Sequence, residues 1–231
     1  MTLTQIETNR EILYSLAKAT SQDEVSQLIA THPFFKDCKW EFYGGLPNNA
    51  GIIKAQSPDP VGALVEKITN GIDALLVRAC ITKGINPESP EAPQNQAEAI
   101  RLFFGDGVAD FSIDEKQVRN LAGKTVRIIA EGQTDNPAIT VVDFGEGQHP
   151  RDFPDTFLSI GHSNRTKIYF AQGVYNQGGS AALKFCGNGY QLVVSRRAPD
   201  ISNQNSDWGF TLVRERYEQG SRAEQYEYCL V

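Results

Sequence analysis

Apolar positions recur at helical spacing through residues 4–31 and again through 60–82, whereas residues 126–145 and 190–217 carry the β-branched runs expected of strands. In the first stretch Ser21-Gln22-Asp23-Glu24 reads as a capping box, with Val25, Leu28 and Ile29 following on one helical face. A helical hairpin is expected there, packing on the main domain or on a partner. The loop-forming GGLPNNAG (44–51) separates it from the next block. Asp59 as N-cap and Pro60 at the first helical position then open a long helix running to about Thr82. A polar, Pro-rich stretch (86–98) is expected to be a surface loop, followed by a short helix in AEAIRLFFG.

VRIIAEG (126–132) and AITVVDFG (138–145) flank a TDNP turn, the pattern of an antiparallel hairpin. Residues 150–160 are helix-capable, 161–189 are punctuated by glycine, and YQLVVSRR, WGFTLVRERYE and EQYEYCLV supply further strands. Helices feeding a mostly antiparallel sheet predict an α+β fold, a two-layer sandwich with the sheet covered by helices. The expected division is an N-terminal helical extension over 1–50 and a main domain over 51–231, the latter forming the N-terminal part of a longer protein.

Composition narrows the functional classes. With 22 Lys+Arg against 28 Asp+Glu the 231-residue chain carries a formal charge of −6, which argues against a whole-surface nucleic-acid binder. No apolar run approaches the roughly 20 residues that span a bilayer, and the N-terminus has no basic-then-apolar leader pattern, so a cytoplasmic protein without membrane contact is expected. Cys38, Cys80, Cys186 and Cys229 are scattered, as are His32, His149 and His162; no zinc spacing emerges, and reduced thiols are the expectation.

Three stretches could carry chemistry. In the helix PVGALVEKITNGIDALLVRAC, Glu66, Asn70 and Asp73 share a narrow face, while Val65, Ile68, Ile72, Leu75 and Leu76 on another are expected to make the core contact. Asp143-Phe144-Gly145-Glu146-Gly147 ends an apolar strand with a carboxylate and two glycines that permit close backbone approach. Gly173 to Leu183 is a glycine-rich loop entering a helix start, a geometry that favours phosphate. Singly, each also reads as a solvated face, a tight turn and an ordinary loop.

Taken together, their order resembles the GHKL (Bergerat-fold) ATPases. EKITNGIDA looks like the family's N-box, VVDFGEG like its D-x-G-x-G box, FLSIGHSNRTK like the approach to the ATP lid, and GVYNQGGSAALKFCG like the second glycine box. The last has one extra residue relative to the common G-x-x-G-x-G form, and the late-strand Gly209-Phe210-Thr211 is an offset match to the family's Gly-Thr pair. The D-A ending of the N-box lies nearer the chaperone, MutL, gyrase B and MORC branches than the histidine kinases.

The resemblance implies a Bergerat sandwich with Glu66 as general base, Asn70 holding Mg²⁺, and Asp73 supporting the nucleotide through water. It further implies Asp143 reading the adenine amino group, Gly145 and Gly147 against the base, Gly173, Gly178, Gly179 and Ser180 along the triphosphate, and Ser163 and Lys167 at the lid. The implied function is Mg²⁺-dependent ATP binding and slow hydrolysis in a nucleotide-gated homodimer, with DNA or an effector domain as further partners in a full-length, defence-related protein. A chaperone-like ATPase and a non-catalytic binding module remain as alternatives.

Overall fold

The computed structural model describes residues 3–56, 59–160, 166–173, 178–202, 206–217 and 224–230. Helix α1 (Leu3–Lys18) and helix α2 (Gln22–Thr31) form the expected hairpin, continued by the short α3 (Pro33–Asp37). Ser21 accepts the amide of Glu24, while the Glu24 carboxylate reaches back to Thr20 N at 2.7 Å, one residue before the reciprocal position of a strict capping box.

These helices do not stand apart from the rest. Ile12, Leu16 and Phe35 pack with Phe210 and Leu212 of the main sheet. Strand β1 (Trp40–Phe42) then pairs antiparallel with β6 (Glu224–Leu230), so the segment preceding residue 50 contributes an edge strand of its own. With β4 (Gln191–Ser195) and β5 (Gly209–Tyr217) the order is β1-β6-β5-β4, all antiparallel. Asn49, fully buried in the loop before α4 (Ala50–Ala55), donates to the carbonyls of Tyr43 and Tyr226 and accepts from Tyr226 N. Those three bonds satisfy the side chain's buried oxygen and nitrogen and knit loop to strand.

Helix α5 (Pro60–Thr82) runs the length expected, with Asp59 accepting from Gly62 N at 2.8 Å and Pro60 in the first turn. Its buried face differs from the sequence expectation. Val65 is exposed, whereas Gly71, Asp73, Ala74, Leu76, Val77 and Cys80 are buried. Of the polar stripe, Asp73 lies inward under a distant loop, Asn70 is half-buried and Glu66 stays exposed, as described below.

Helix α6 (Gln96–Phe104) caps on Asn95 and stops at Gly105, whose φ of 89° an L-side chain rarely adopts. A short α7 (Asp106–Ala109) and α8 (Glu115–Ala122) follow. The expected hairpin is present as β2 (Val126–Gln133) and β3 (Asn136–Asp143), in register Gln133↔Asn136. Among the described residues it forms a two-stranded sheet separate from the four-stranded one. Residues 150–160 make a 3-10 turn and further turns rather than an α-helix, and α9 (Gly178–Ala181) opens the segment leading to β4. The class is α+β with antiparallel sheets.

The cysteine expectation is corrected: Cys38 and Cys229 form a disulfide, while Cys80 and Cys186 are free. Cys38 lies two residues before Trp40, which faces Cys229 across the β1–β6 ladder, so a pairing 191 residues apart in sequence becomes a local contact. None of the described helices is long and apolar enough to cross a membrane.

Candidate functional site around helix α5

Three segments that are far apart in sequence meet on α5. The first is the turn after β3. The exposed Asp143 accepts the Gly145 amide at 2.9 Å, folding the chain back so that Glu146 N donates to the Ala74 carbonyl at 3.0 Å. A Cβ on Gly71 would lie 3.2 Å from Asp143 Cβ, and one on Gly145 would collide with Ala74. Small residues on both partners are what allow the carboxylate-bearing turn to reach the helix.

The second segment is Gln172–Gly173. Asp73, with no solvent exposure, accepts both amides through Oδ2, at 2.9 Å from Gln172 and 2.7 Å from Gly173. Two backbone donors on one carboxylate oxygen are charge-assisted bonds of about 1.5–3 kcal/mol each. Asp73 thus grips the start of the glycine loop directly, a different task from the water-linked one implied by the resemblance. Gly173 is also close to Asn70: a Cβ there would stand 2.5 Å from the Asn70 amide oxygen.

The third segment is α9, which packs on α5 and α4. Gly178 and Gly179 begin it. Ser180, however, is buried and donates its hydroxyl to Gln56 Oε1 at 2.6 Å, so its side chain serves the packing of α9 rather than an open cradle. Gly147, with φ 60°, lies against the Arg196 carbonyl, where any side chain would clash. Its role is to let the turn dock on the end of β4.

Several residues around this turn had no sequence signal. Arg197 donates to Glu146 at 2.7 Å and to the Gly147 carbonyl, Gln148 N donates to Ser195 Oγ at 3.0 Å, and Ala198 N donates to the Glu146 carbonyl. Arg78 ties the Phe144 carbonyl to Asp200. The turn is therefore clamped between α5 and the exit of β4. Burial pulls the Lys67 ammonium down to about 8, a shift opposed by the charge of Cys186, whose own thiol burial pushes up.

Glu66 is exposed, one turn before Asn70 on the same face. Lys167 is exposed in a turn, and Ser163 and residues 174–177 lie outside the described residues. Thr211 sits on the sheet face opposite Phe210 and Leu212; it is wholly buried, and its hydroxyl has no hydrogen-bond partner among the described residues. A buried hydroxyl without a partner costs about 1–3 kcal/mol.

The donor set bears on the metal as well. Among the described residues no group of three or more His, Cys, Asp or Glu could hold an ion. Asn70 offers an amide oxygen beside the glycine loop, which fits a Mg²⁺ held chiefly by phosphate and water and does not fit an ion caged by protein carboxylates. Compared with protein-family models, curated proteins and solved structures, the chain matches none.

Proposed function

We propose that this chain is a GHKL-type, Mg²⁺-dependent ATP-binding domain that hydrolyses ATP slowly and acts as a nucleotide-gated dimerisation switch within a larger protein. The observation that carries the reading is the convergence on α5: Asp143 beside Gly71, and Gly173 on Asn70 and Asp73. These are the segments whose sequences resemble the family's boxes, and their meeting supports the Bergerat arrangement of the two layers.

In this reading Asp143 accepts the adenine amino group, and a carboxylate there repels the carbonyl that guanine presents, so adenine is selected. Gly145 keeps the wall of the base pocket thin, and the buried Thr211 hydroxyl supplies a second polar contact on the base side. Gly173, Gly178 and Gly179 bring backbone amides toward the phosphates. Asn70 holds Mg²⁺, which when bound neutralises phosphate charge. Glu66, exposed on the same face, orients and deprotonates the attacking water. Asp73 positions Gly173. Ser163 and Lys167 are assigned to the lid.

Slow turnover is expected because many members of the branches this sequence resembles complete the γ-phosphate contacts with a lysine from a following domain. Steady-state hydrolysis well below the common enzyme value of about 10 s⁻¹, abolished by Glu66→Ala while ATP binding survives, is the expected result. Turnover at or above that value, or unchanged in Glu66→Ala, contradicts the assignment. ATP-dependent dimerisation, read by sedimentation with and without nucleotide, separates the switch from a non-catalytic module. A chaperone-like role would appear as ATP-dependent suppression of client aggregation, and a defence role involving DNA as nucleic-acid binding by the full-length protein.

A further inference from the structure

The opposite side of α5 forms an open cleft of about 460 Å³, within the size range of roughly 300–1,000 Å³ typical of small-molecule sites. Ala79, which lines it, is nine residues beyond Asn70, two and a half turns at about 100° per residue, so the cleft faces away from the Glu66–Asn70–Asp73 stripe. Its lining includes three aromatic side chains, Phe103, Phe104 and Phe144. It also includes Arg78, Lys83 and Lys124, and no lining side chain is acidic among the described residues.

The three cations are not equivalent. Arg78 is engaged by Asp200 at 3.0 Å and by the Phe144 carbonyl at 2.7 Å, so its charge is largely answered within the protein. Lys83 and Lys124, which also line the cleft, are exposed at the end of α5 and at the turn before β2. An aromatic lining that also carries two exposed cations is complementary to one chemistry: a flat hydrophobic body carrying an anionic group.

We propose that this cleft is a second ligand site, separate from the nucleotide site, for a small aromatic anion such as an aryl carboxylate, sulfonate or phosphate. The ring stacks among Phe103, Phe104 and Phe144, and the anion sits between Lys83 and Lys124. Phe144 adjoins Asp143, so an occupied cleft touches the same turn that presents Asp143 to the other side of the helix.

The test uses 1-anilinonaphthalene-8-sulfonate as the probe and neutral N-phenyl-1-naphthylamine as its uncharged counterpart, titrated into the intact chain by fluorescence. Saturable one-to-one binding of the sulfonate is expected, weakened about tenfold or more in Lys83→Glu/Lys124→Glu. It should be unchanged in Asp143→Asn and in excess Mg·ATP, which keeps the outcome independent of the nucleotide assignment. Both lysines are exposed, so the variant retains its fold, checked by far-ultraviolet circular dichroism. No saturable binding, equal affinity for the neutral probe, indifference to the charge reversal, or displacement by Mg·ATP each overturns the proposal.

Discussion

Asp73 holds Gly173 by a 2.7 Å backbone hydrogen bond, with Gln172 N on the same carboxylate oxygen, across 100 residues of sequence. The buried carboxylate fixes where the glycine loop begins relative to α5. Asp73→Asn keeps the shape but removes the charge that strengthens both bonds and introduces amide hydrogens beside backbone donors. It should lower stability by about 2–3 kcal/mol, seen as a lower urea midpoint at unchanged slope. A midpoint equal to wild type would mean that the loop is held elsewhere.

Gly147 and Gly173 should respond differently to alanine. At Gly147 the backbone has φ 60° and the obstacle is the Arg196 carbonyl, which cannot swing away. Gly147→Ala should cost about 2–4 kcal/mol of stability. At Gly173 the closest obstacle is the Asn70 side chain, which can rotate, with Asp73 Oδ2 next at 3.2 Å, a few tenths of an ångström too close. Gly173→Ala should leave the urea midpoint within about 1 kcal/mol but displace the Asn70 oxygen, weakening Mg·ATP binding about tenfold or more.

Thr211→Val tests whether the lone buried hydroxyl exists for a ligand. With nothing to satisfy it among the described residues, its removal should leave stability unchanged or raise it by about 1 kcal/mol. ATP affinity should fall about five- to tenfold. Loss of stability without loss of affinity would show that the hydroxyl serves the fold.

Lys54 on α4 bridges Glu215 and Glu224 of β5 and β6. Its side-chain bonds with Glu224 and Glu215 hold the ammonium above its ordinary range against the cost of burial, and Lys54 in turn holds Glu224 below the usual carboxylate value. A carboxylate with a depressed folded-state pKa stabilises above its unfolded value of about 4.5 and loses that contribution as pH falls through the folded one. Lys54→Met should therefore be less stable than wild type by about 1 kcal/mol near neutral pH. The gap should close below about pH 4, as chemical denaturation across pH can show.

The Cys38–Cys229 disulfide predicts two titratable thiols in the unreduced, denatured chain and four after reduction. Reduction should lower the unfolding midpoint, since the bond closes a loop of 191 residues and such cross-links contribute about 2–5 kcal/mol.

The sequence legibly announced what local physics decides. Asp59-Pro60 marked the start of α5, and the β-branched runs around TDNP marked the hairpin. Helix α8 escaped notice because none of its residues is buried, so no core stripe drew attention to the Asp114–Gln117 capping box. Strand β1 is three residues long, too short for any alternation to register. The inward turn of Asp73 was illegible for another reason: its partners are amides of Gln172 and Gly173, and backbone groups leave no trace in residue type. The same holds for Cys38 and Cys229, which only the β1–β6 register brings together.

The most direct measurement is calorimetry of Mg·ATP binding to the wild-type chain and to Asp143→Asn, with Mg·GTP as the control. The account predicts adenine-selective binding that the substitution weakens by roughly 1.5–3 kcal/mol, the worth of a charge-assisted hydrogen bond. Equal binding of the two nucleotides, wild-type affinity in Asp143→Asn, or no binding at all would contradict it.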